Sequence, residues 1–289
     1  MQKWGVYELK IGLQTDLHIG HRPLGFVART LPYVPAHVPW YALSLALVKE
    51  LEWPDTGDSF VKVEKFLEKA LRFTPCYIFH PKHGVLTPFS WAQETVEREY
   101  LYSRYGVALD YSRRGAEENR LFEKEVITAR NRGDYSRTLL QGYIFVKPIH
   151  DQGLVIEDGP NVNGISMTKL INLSTWGGEV SRGMGVLSHA ELIPANEVYG
   201  CRDLDLDGTE PVLNWPSKKK GPFYLSYDPH RAEDMIGGSI RPVCGRRHHP
   251  ELGPGLGFEP PFLSWMPGWQ CSDDLRIQLG VKAASVVLN

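Results

Sequence analysis

The sequence predicts an α+β fold: a ferredoxin-like domain over residues 1–194, interrupted at about 91–138 by a basic insertion. A β- and loop-rich extension is expected over residues 195–289. Three observations support this. Strand and helix patterns alternate over the first 194 residues. Residues 101–150 reverse the charge balance of the chain. After Pro194 the composition becomes rich in Pro, Gly and Trp, with few helix signals.

Composition sets outer limits on function. The 289 residues are 42% hydrophobic, enough for a sizeable core, and their formal net charge of -2 excludes a uniformly basic surface. A nucleic-acid site must therefore be a local patch. No apolar run approaches the roughly 18 residues that span a bilayer, and the N-terminus alternates rather than forming a signal peptide. We expect a cytoplasmic protein without a membrane partner, whose widely spaced cysteines stay reduced.

The first elements follow from periodicity. Residues 6–13 alternate, with Tyr7, Leu9 and Ile11 on one side, which predicts a half-buried strand. Residues 38–52 carry apolar side chains at helical spacing after Pro39, which suits a first helical turn.

Further elements are read in the same way. Ser166 is a candidate N-cap for a short helix at 166–174. The remaining predictions are an amphipathic segment and three strands, at residues 61–72, 76–80, 139–146 and 186–193.

The glycine-dense segment 177–185, GGEVSRGMG, is the sharpest chemical feature. Glycines let backbone amides approach a phosphate closely, and an arginine within the loop can grip it by paired hydrogen bonds. The P-loop and dinucleotide spacings are absent, because the predicted order is helix, glycines, strand. A tight connection that needs positive φ stays an equal alternative. The candidate binding residues are Gly177, Gly178, Ser181, Arg182, Gly183 and Gly185.

The loop after the first strand concentrates histidine and arginine near an aromatic residue, a pattern that can stack a base and neutralise phosphate. The candidates are His18, His21, Arg22 and Arg29. An ordinary polar surface loop is the competing interpretation, and it is favoured when this loop is considered in isolation.

The insertion interleaves arginines with tyrosines, and residues 101–150 hold nine Lys/Arg against six Asp/Glu. Such a segment can bind nucleic acid through charge and stacking. A solvated loop balanced by its own glutamates is equally compatible with the pattern. The candidate RNA-binding residues are Arg113, Arg114, Arg130, Arg132 and Arg137.

No metal or cofactor site is predicted. Asp203–Gly208 begins like a calcium loop, but Asn214 stands where the last ligand should be glutamate. Cys244, His248, His249 and Cys271 lack the paired spacing of zinc ligands.

Four segments, taken in order, resemble the RAMP superfamily of CRISPR-associated proteins. They are the LHIG turn at 17–20, the helix start at 33–43, the segment at 113–125, and the glycine loop at 177–186. The likeness extends over about the first 195 residues. Each motif is weak, but four in the same order are moderately specific.

The resemblance implies an RRM/ferredoxin-like fold whose basic insertion is thumb-like. It also implies a guide-RNA (crRNA)-binding subunit of a type III-like (III-D-like) effector complex in antiviral defence. Its expected partners are crRNA, target RNA and other effector subunits, including a large polymerase-like one. The family grips RNA backbone through the glycine loop and basic residues, while guide pairing reads the target sequence.

Whether the chain is an enzyme stays open, with a non-catalytic subunit that caps the 5′ handle of the guide favoured. Family members that cut target RNA carry an aspartate in the loop after the first strand, but residues 18–38 contain no Asp or Glu. Asp16 precedes the turn, and Ala36-His-Val-Pro replaces the small residues that usually begin the helix.

Three alternatives remain. A backbone subunit could cut target RNA through Asp16 or Asp134, with Mg²⁺ or Mn²⁺. A crRNA-processing endoribonuclease could use His18, His21 or His37 as a base. A metabolic enzyme could bind a small phosphate ligand at the glycine loop.

Overall fold

The computed structural model is a mixed α/β structure, rich in strands and with few helices. It describes residues 3–54, 56–90, 92–110, 112–157, 159–244, 246–249, 253–258, 260–281 and 283–287. The helices are α1 (His37–Glu50), α2 (Gly57–Ala70), α3 (Gln93–Tyr100) and α4 (Met167–Leu173), with short 3-10 helices at Val180–Arg182 and Pro229–Asp234.

The strands before residue 195 are β1 (Gly5–Leu13), β2 (Gly20–Leu24), β3 (Val27–Thr30), β4 (Leu71–Phe73), β5 (Tyr77–His80), β6 (Gly84–Leu86), β7 (Leu101–Asp110), β8 (Gly115–Ile127), β9 (Leu139–Val146), β10 (Ile149–Asp151), β11 (Leu154–Ile156), β12 (Asn161–Val162), β13 (Ile165–Ser166) and β14 (Leu187–Pro194). Those after it are β15 (Leu204–Asp205), β16 (Val212–Trp215), β17 (Leu225–Ser226), β18 (Met235–Gly237), β19 (Ile240–Val243), β20 (Arg246–His249), β21 (Gly253–Phe258), β22 (Phe262–Trp265), β23 (Gln270–Cys271), β24 (Leu275–Leu279) and β25 (Ala284–Val286).

The first sheet is antiparallel, in the order β14-β1-β9-β5-β6, with β4 also paired to β9. Because β4 and β5 pair with opposite ends of β9, they act as one strand interrupted at residues 74–76. α1 and α2 connect β1 to this broken strand, and α4 precedes β14. The predicted strands at 6–13, 76–80, 139–146 and 186–193 and the helix at 38–52 are confirmed within about two residues.

One face of this sheet packs on α1, α2 and α4. Leu9 and Ile144 of the strands share a buried cluster with Leu47, Phe66 and Leu170 of the helices. Burial of such side chains stabilises the fold by roughly 1.5–3 kcal/mol each. The cluster fixes the ends of β1 and β14, which carry the candidate site.

The opposite face is covered by the C-terminal segment (residues 195–289). Val6, Tyr143 and Phe145 pack in a second buried cluster with Trp215 and Trp269. The prediction that the first strand is half-buried is therefore wrong at its start, because Val6 is covered as well as Leu9. RRM domains bind RNA with aromatic side chains on the open sheet surface; here Tyr143 and Phe145 lie inside the protein, so that surface is closed.

Arg72 joins the two segments. It lies in β4, almost fully buried, and donates from Nε and Nη2 to the Glu210 carboxylate at 2.7 and 2.5 Å. Its guanidinium carbon also lies 5.5 Å from the Trp4 ring centre. A buried arginine needs such a partner, since an unpaired charge inside a protein is strongly destabilising.

The insertion contains a helix and a long hairpin that the charged sequence did not reveal. α3 leads into β7, which pairs antiparallel with β8, and β3 runs parallel to β8 at Val27 and Ala28. Together they form a four-stranded sheet in the order β2-β3-β8-β7. The loop after β1 and the insertion are thus parts of one substructure.

The C-terminal segment consists of short strands and loops, as its composition predicted. Seven strands form a sheet in the order β15-β16-β24-β25-β17-β22-β19, with small pairs β18–β23 and β20–β21 beside it. In the described part of the chain, no helix is long and apolar enough to cross a membrane.

Two local predictions have different outcomes. α4 begins after Ser166 as expected, but no capping hydrogen bond forms, because the Ser166 hydroxyl pairs with that of Thr168. None of the four cysteines forms a disulfide, and burial raises the pKa of Cys76 to about 12.

Candidate nucleic-acid interface

The glycine loop (residues 177–185) is an exposed bend between α4 and β14. Gly177, Gly183 and Gly185 have φ values of 80, 79 and 75°, and Glu179 is also left-handed at 61°. This backbone suits glycine and strains other residues. Val180–Arg182 form a single 3-10 turn at the tip of the loop.

The LHIG turn (residues 17–20) packs directly against this loop. The amide of Gly178 donates to the carbonyl oxygen of His18 at 2.8 Å, and that of Gly185 donates to Asp16 at 2.8 Å. A Cβ on Gly177 would lie 2.4 Å from the His18 carbonyl oxygen. The glycines are therefore required for close approach between two chain segments about 160 residues apart.

Several amides of the loop are already used by the fold. Besides those of Gly178 and Gly185, the amides of Arg182 and Gly183 donate to Glu179 and Val180, both at 2.9 Å. The idea of a cradle built from the whole row of amides does not fit these bonds. The side chains of Ser181 and Arg182 are exposed at the tip of the loop.

The hairpin β7–β8 supplies the other wall. Lys124 of β8 forms an ion pair with Glu179, and Arg182 donates from Nη1 to the same carboxylate at 2.7 Å. Lys124 Nζ and Arg182 Cζ each lie 5.3 Å from the centre of the Phe122 ring. The hydrogen bond from Lys124 is the main cause of a lowered Glu179 pKa, with the positive charges of Lys124 and Arg182 adding to it.

This arrangement defines a basic cluster, made of Arg104, Lys124 and Arg182. Arg104 pairs with Lys124 across the hairpin, and both project from the face that carries Phe122. The side chains of Arg104 and Arg182 are more than half exposed. The cluster brings positive side chains together, and such groups bind the phosphates of a nucleic-acid backbone.

Asp16 holds the base of the cluster together. Its Oδ1 accepts from the Ala129 amide at 2.8 Å and its Oδ2 from Arg104 Nε at 2.6 Å, while its side chain is only 11% exposed. Both oxygens of this candidate catalytic carboxylate are thus engaged by the fold.

His18 is buried beneath the loop. Its Nδ1 lies 2.8 Å from the Glu125 carbonyl oxygen, which can only accept, so Nδ1 carries the proton. Nε2 is then the ring nitrogen able to take up a proton, and among the described residues it has no hydrogen-bond partner.

The turn at residues 130–137 is the last part of the insertion. Arg130 donates to the Tyr135 carbonyl at 3.1 Å, and Arg132 lies over the Tyr102 ring at 5.0 Å. Arg137 donates to Ser188 of β14 at 2.8 Å, three residues after the glycine loop ends. Asp134 caps this turn through Ser136, and these hydrogen bonds lower its pKa.

The remaining candidates lie elsewhere. Arg113 and Arg114 are exposed at the tip of the β7–β8 hairpin, and Arg29 approaches Glu125 at 3.6 Å on the other hairpin face. His21 contacts Arg241 of the C-terminal segment at 3.2 Å. His37 is the first residue of α1, and the side chain of Arg22 lies outside the described part of the chain.

Sequence reasoning missed Phe122, Lys124, Arg104 and Glu179. Residues 121–127, LFEKEVI, show no alternation that would have marked a strand, although in any strand Phe122 and Lys124, two residues apart, share one face. Among the described residues, no group of three or more His, Cys, Asp or Glu side chains could hold a metal ion.

No model of a known protein family and no curated protein matches this chain.

Solved structures of the type III-B Cmr-beta complex contain similar chains. One, from the complex bound to cognate target RNA and AMPPnP, is 11% identical with a TM-score of 0.46, over 95% of this chain and 86% of that one. A second, from the complex bound to cognate target RNA, is 10% identical with a TM-score of 0.41, over 65% and 96%. A third, from the apo state, is 10% identical with a TM-score of 0.38, over 65% and 97%.

Proposed function

We propose that this protein is a guide-RNA-binding subunit of a type III-like CRISPR effector complex, of the RAMP superfamily, acting in the cytoplasm in antiviral defence. It binds crRNA through the basic cluster and the glycine loop. Its further partners are target RNA and other effector subunits, including a large polymerase-like one.

The observation that carries this proposal is the convergence of three distant motifs. The LHIG turn is hydrogen-bonded to the glycine loop through His18 and Gly178, and to β8 through His18 and Glu125. β8 in turn reaches the loop through Lys124 and Glu179. Motifs separated by up to 160 residues thus build one exposed surface, whose cations and aromatic ring suit an RNA backbone.

The order of elements supports a ferredoxin-like domain over residues 1–194. β1, the broken strand β4/β5, β9 and β14 alternate with helices as β-α-β-β-α-β. The insertion is the thumb of this domain. Residues 195–289 form an extension whose clearest role is to cover the sheet face opposite the helices.

A non-catalytic role that caps the 5′ handle fits the environment of Asp16 best. A carboxylate that binds a metal or activates water must be accessible to it, whereas the Asp16 side chain is only 11% exposed and each of its oxygens already accepts a hydrogen bond. One observation favours a second candidate, a crRNA-processing endoribonuclease: His18 Nε2 carries the lone pair of that ring and lies beneath the glycine loop.

Co-purification tests the proposal. The tagged protein, expressed with its neighbouring genes, should retain RNAs of uniform length that share a repeat-derived 5′ end, together with other subunits. Recovery of random cellular RNA, or of none, would count against the guide-binding role. Site-specific cleavage of repeat RNA by the purified chain, abolished in His18→Asn, would favour the processing enzyme instead.

A further inference from the structure

A groove of about 340 Å³ opens between the start of β2 and strand β19 of the C-terminal segment. Its volume lies within the roughly 300–1,000 Å³ range of sites for small organic ligands. The walls come from two parts of the sequence more than 200 residues apart, with Gly20 and His21 on one side and Arg241 and Pro242 on the other.

The groove has a cation without a counter-charge. Arg241 is half-buried, and no carboxylate lies within ion-pair distance of it in the described part of the chain. None of the described residues that line the groove is Asp or Glu. Buried or half-buried charges are normally paired, so this arginine is placed to meet an anion.

His21 orients Arg241 without neutralising it. Nη1 of the arginine lies 3.2 Å from Nε2 of His21. Because a guanidinium can only donate, Nε2 must accept, and the imidazole is neutral in this contact. Tyr224 also lines the groove; burial raises its pKa to about 12, so its phenol brings no negative charge at neutral pH.

Apart from the polar residues, which include His37, the groove has an apolar part that suits a flat ring. Ile19, Leu31, Pro35 and Met266 line it beside the polar wall. A ligand with a planar, weakly polar part and an attached anion would satisfy both sides, and this combination is the chemistry of a nucleotide.

We propose that this groove binds one nucleotide, with its phosphate on Arg241 and its base against the apolar wall. The nucleotide is part of the RNA bound at the basic cluster, and on this point the inference rests on the proposed function. His18 contacts the glycine loop and His21 lines the groove, so three residues of extended chain, about 10 Å, separate the two sites. About three stacked nucleotides span that distance.

Abasic scanning tests this assignment. A set of single-stranded 12-nucleotide RNAs, each lacking one base, is titrated against the wild type, Arg241→Ala and Arg276→Ala. Arg276 is the matched control, since it is also in the C-terminal segment but pairs with Asp205. One position should weaken wild-type binding about tenfold when its base is removed. Arg241→Ala should bind intact RNA about tenfold more weakly and lose the response at that position.

Alkylation of Cys244 gives a readout that needs no variant. Cys244 is exposed and lines the groove, whereas the other three cysteines are buried. Bound RNA should slow its reaction with iodoacetamide. The four 5′-mononucleotides form a second arm, and protection by them would assign the groove to a free nucleotide.

The outcomes separate the two proposals. In one outcome, RNA binding depends on Arg182 but is unchanged by Arg241→Ala, and neither RNA nor mononucleotides protect Cys244. This outcome overturns the groove assignment and leaves the proposed function standing. Protection by mononucleotides with no RNA binding supports the groove and overturns the guide-binding role.

Discussion

Gly185→Ala is expected to destabilise the protein by about 4 kcal/mol. The residue has a φ of 75°, and its added Cβ would lie 1.9 Å from the carbonyl oxygen of Trp176. Left-handed backbone costs an L-residue roughly 1–2 kcal/mol. Moving the backbone to relieve the clash would break two hydrogen bonds, from the Trp176 amide to the Gly185 carbonyl and from the Gly185 amide to the Asp16 carbonyl. Each is worth about 1 kcal/mol. The fully buried Trp176 side chain leaves no room for a smaller adjustment.

Urea unfolding measures this loss, and Gly183→Ala is the matched control. Gly183 has a φ of 79°, but no atom of the described residues lies within 4 Å of its added Cβ. Only the conformational term of roughly 1–2 kcal/mol should appear there. Equal free energies of unfolding for the two variants would contradict the close packing of the loop on Trp176.

Arg182→Ala is expected to weaken the binding of single-stranded RNA by about 1–3 kcal/mol, roughly 5- to 150-fold in Kd. The guanidinium is more than half exposed and is held over Phe122 at 5.3 Å, so it can meet a phosphate without rearrangement of the loop. Fluorescence anisotropy with a labelled RNA measures the change.

Arg202→Ala is the matched control, because Arg202 pairs with Glu197 at 2.9 Å in the C-terminal segment. It should bind RNA like the wild type.

Glu179→Gln is expected to strengthen RNA binding. The Glu179 carboxylate forms ion pairs with Lys124 and Arg182, the cations that a phosphate needs, so its neutralisation should raise affinity about two- to fivefold. Weaker binding in Glu179→Gln would mean instead that Glu179 positions Arg182.

Local periodicity predicted most elements of the first sheet. The strand at 139–146 was recognisable as a short, mostly apolar run rich in β-branched and aromatic residues, and the helix at 38–52 by apolar residues at helical spacing after Pro39. The hairpin formed by β7 and β8 was not, because its charged side chains obscure the period and its pairing partners are distant.

The site was predicted as separate motifs rather than as an assembled surface. Arg182 and His18 were identified from their residue types, but their contacts with Phe122 and Glu125 depend on tertiary pairing across more than 50 residues. The same limitation explains why the hydrogen bonds of Asp16 were not predicted. Arg104 and Ala129 donate to its carboxylate, and no local sequence pattern indicates either contact. The hydrogen bonds donated by the backbone amides of the glycine loop could not be predicted either, because a run of glycines does not show which carbonyl oxygens will accept them.

The salt dependence of RNA binding tests the central claim most directly. If Arg104, Lys124 and Arg182 contact phosphates, the logarithm of the association constant should fall linearly with the logarithm of salt concentration. The expected slope is about -2, because each of the three contacts on a single strand contributes about -0.7. Arg182→Ala should reduce the magnitude of that slope by about 0.7. A slope near zero, or a slope that Arg182→Ala leaves unchanged, would contradict an RNA backbone lying across the glycine loop and the basic cluster.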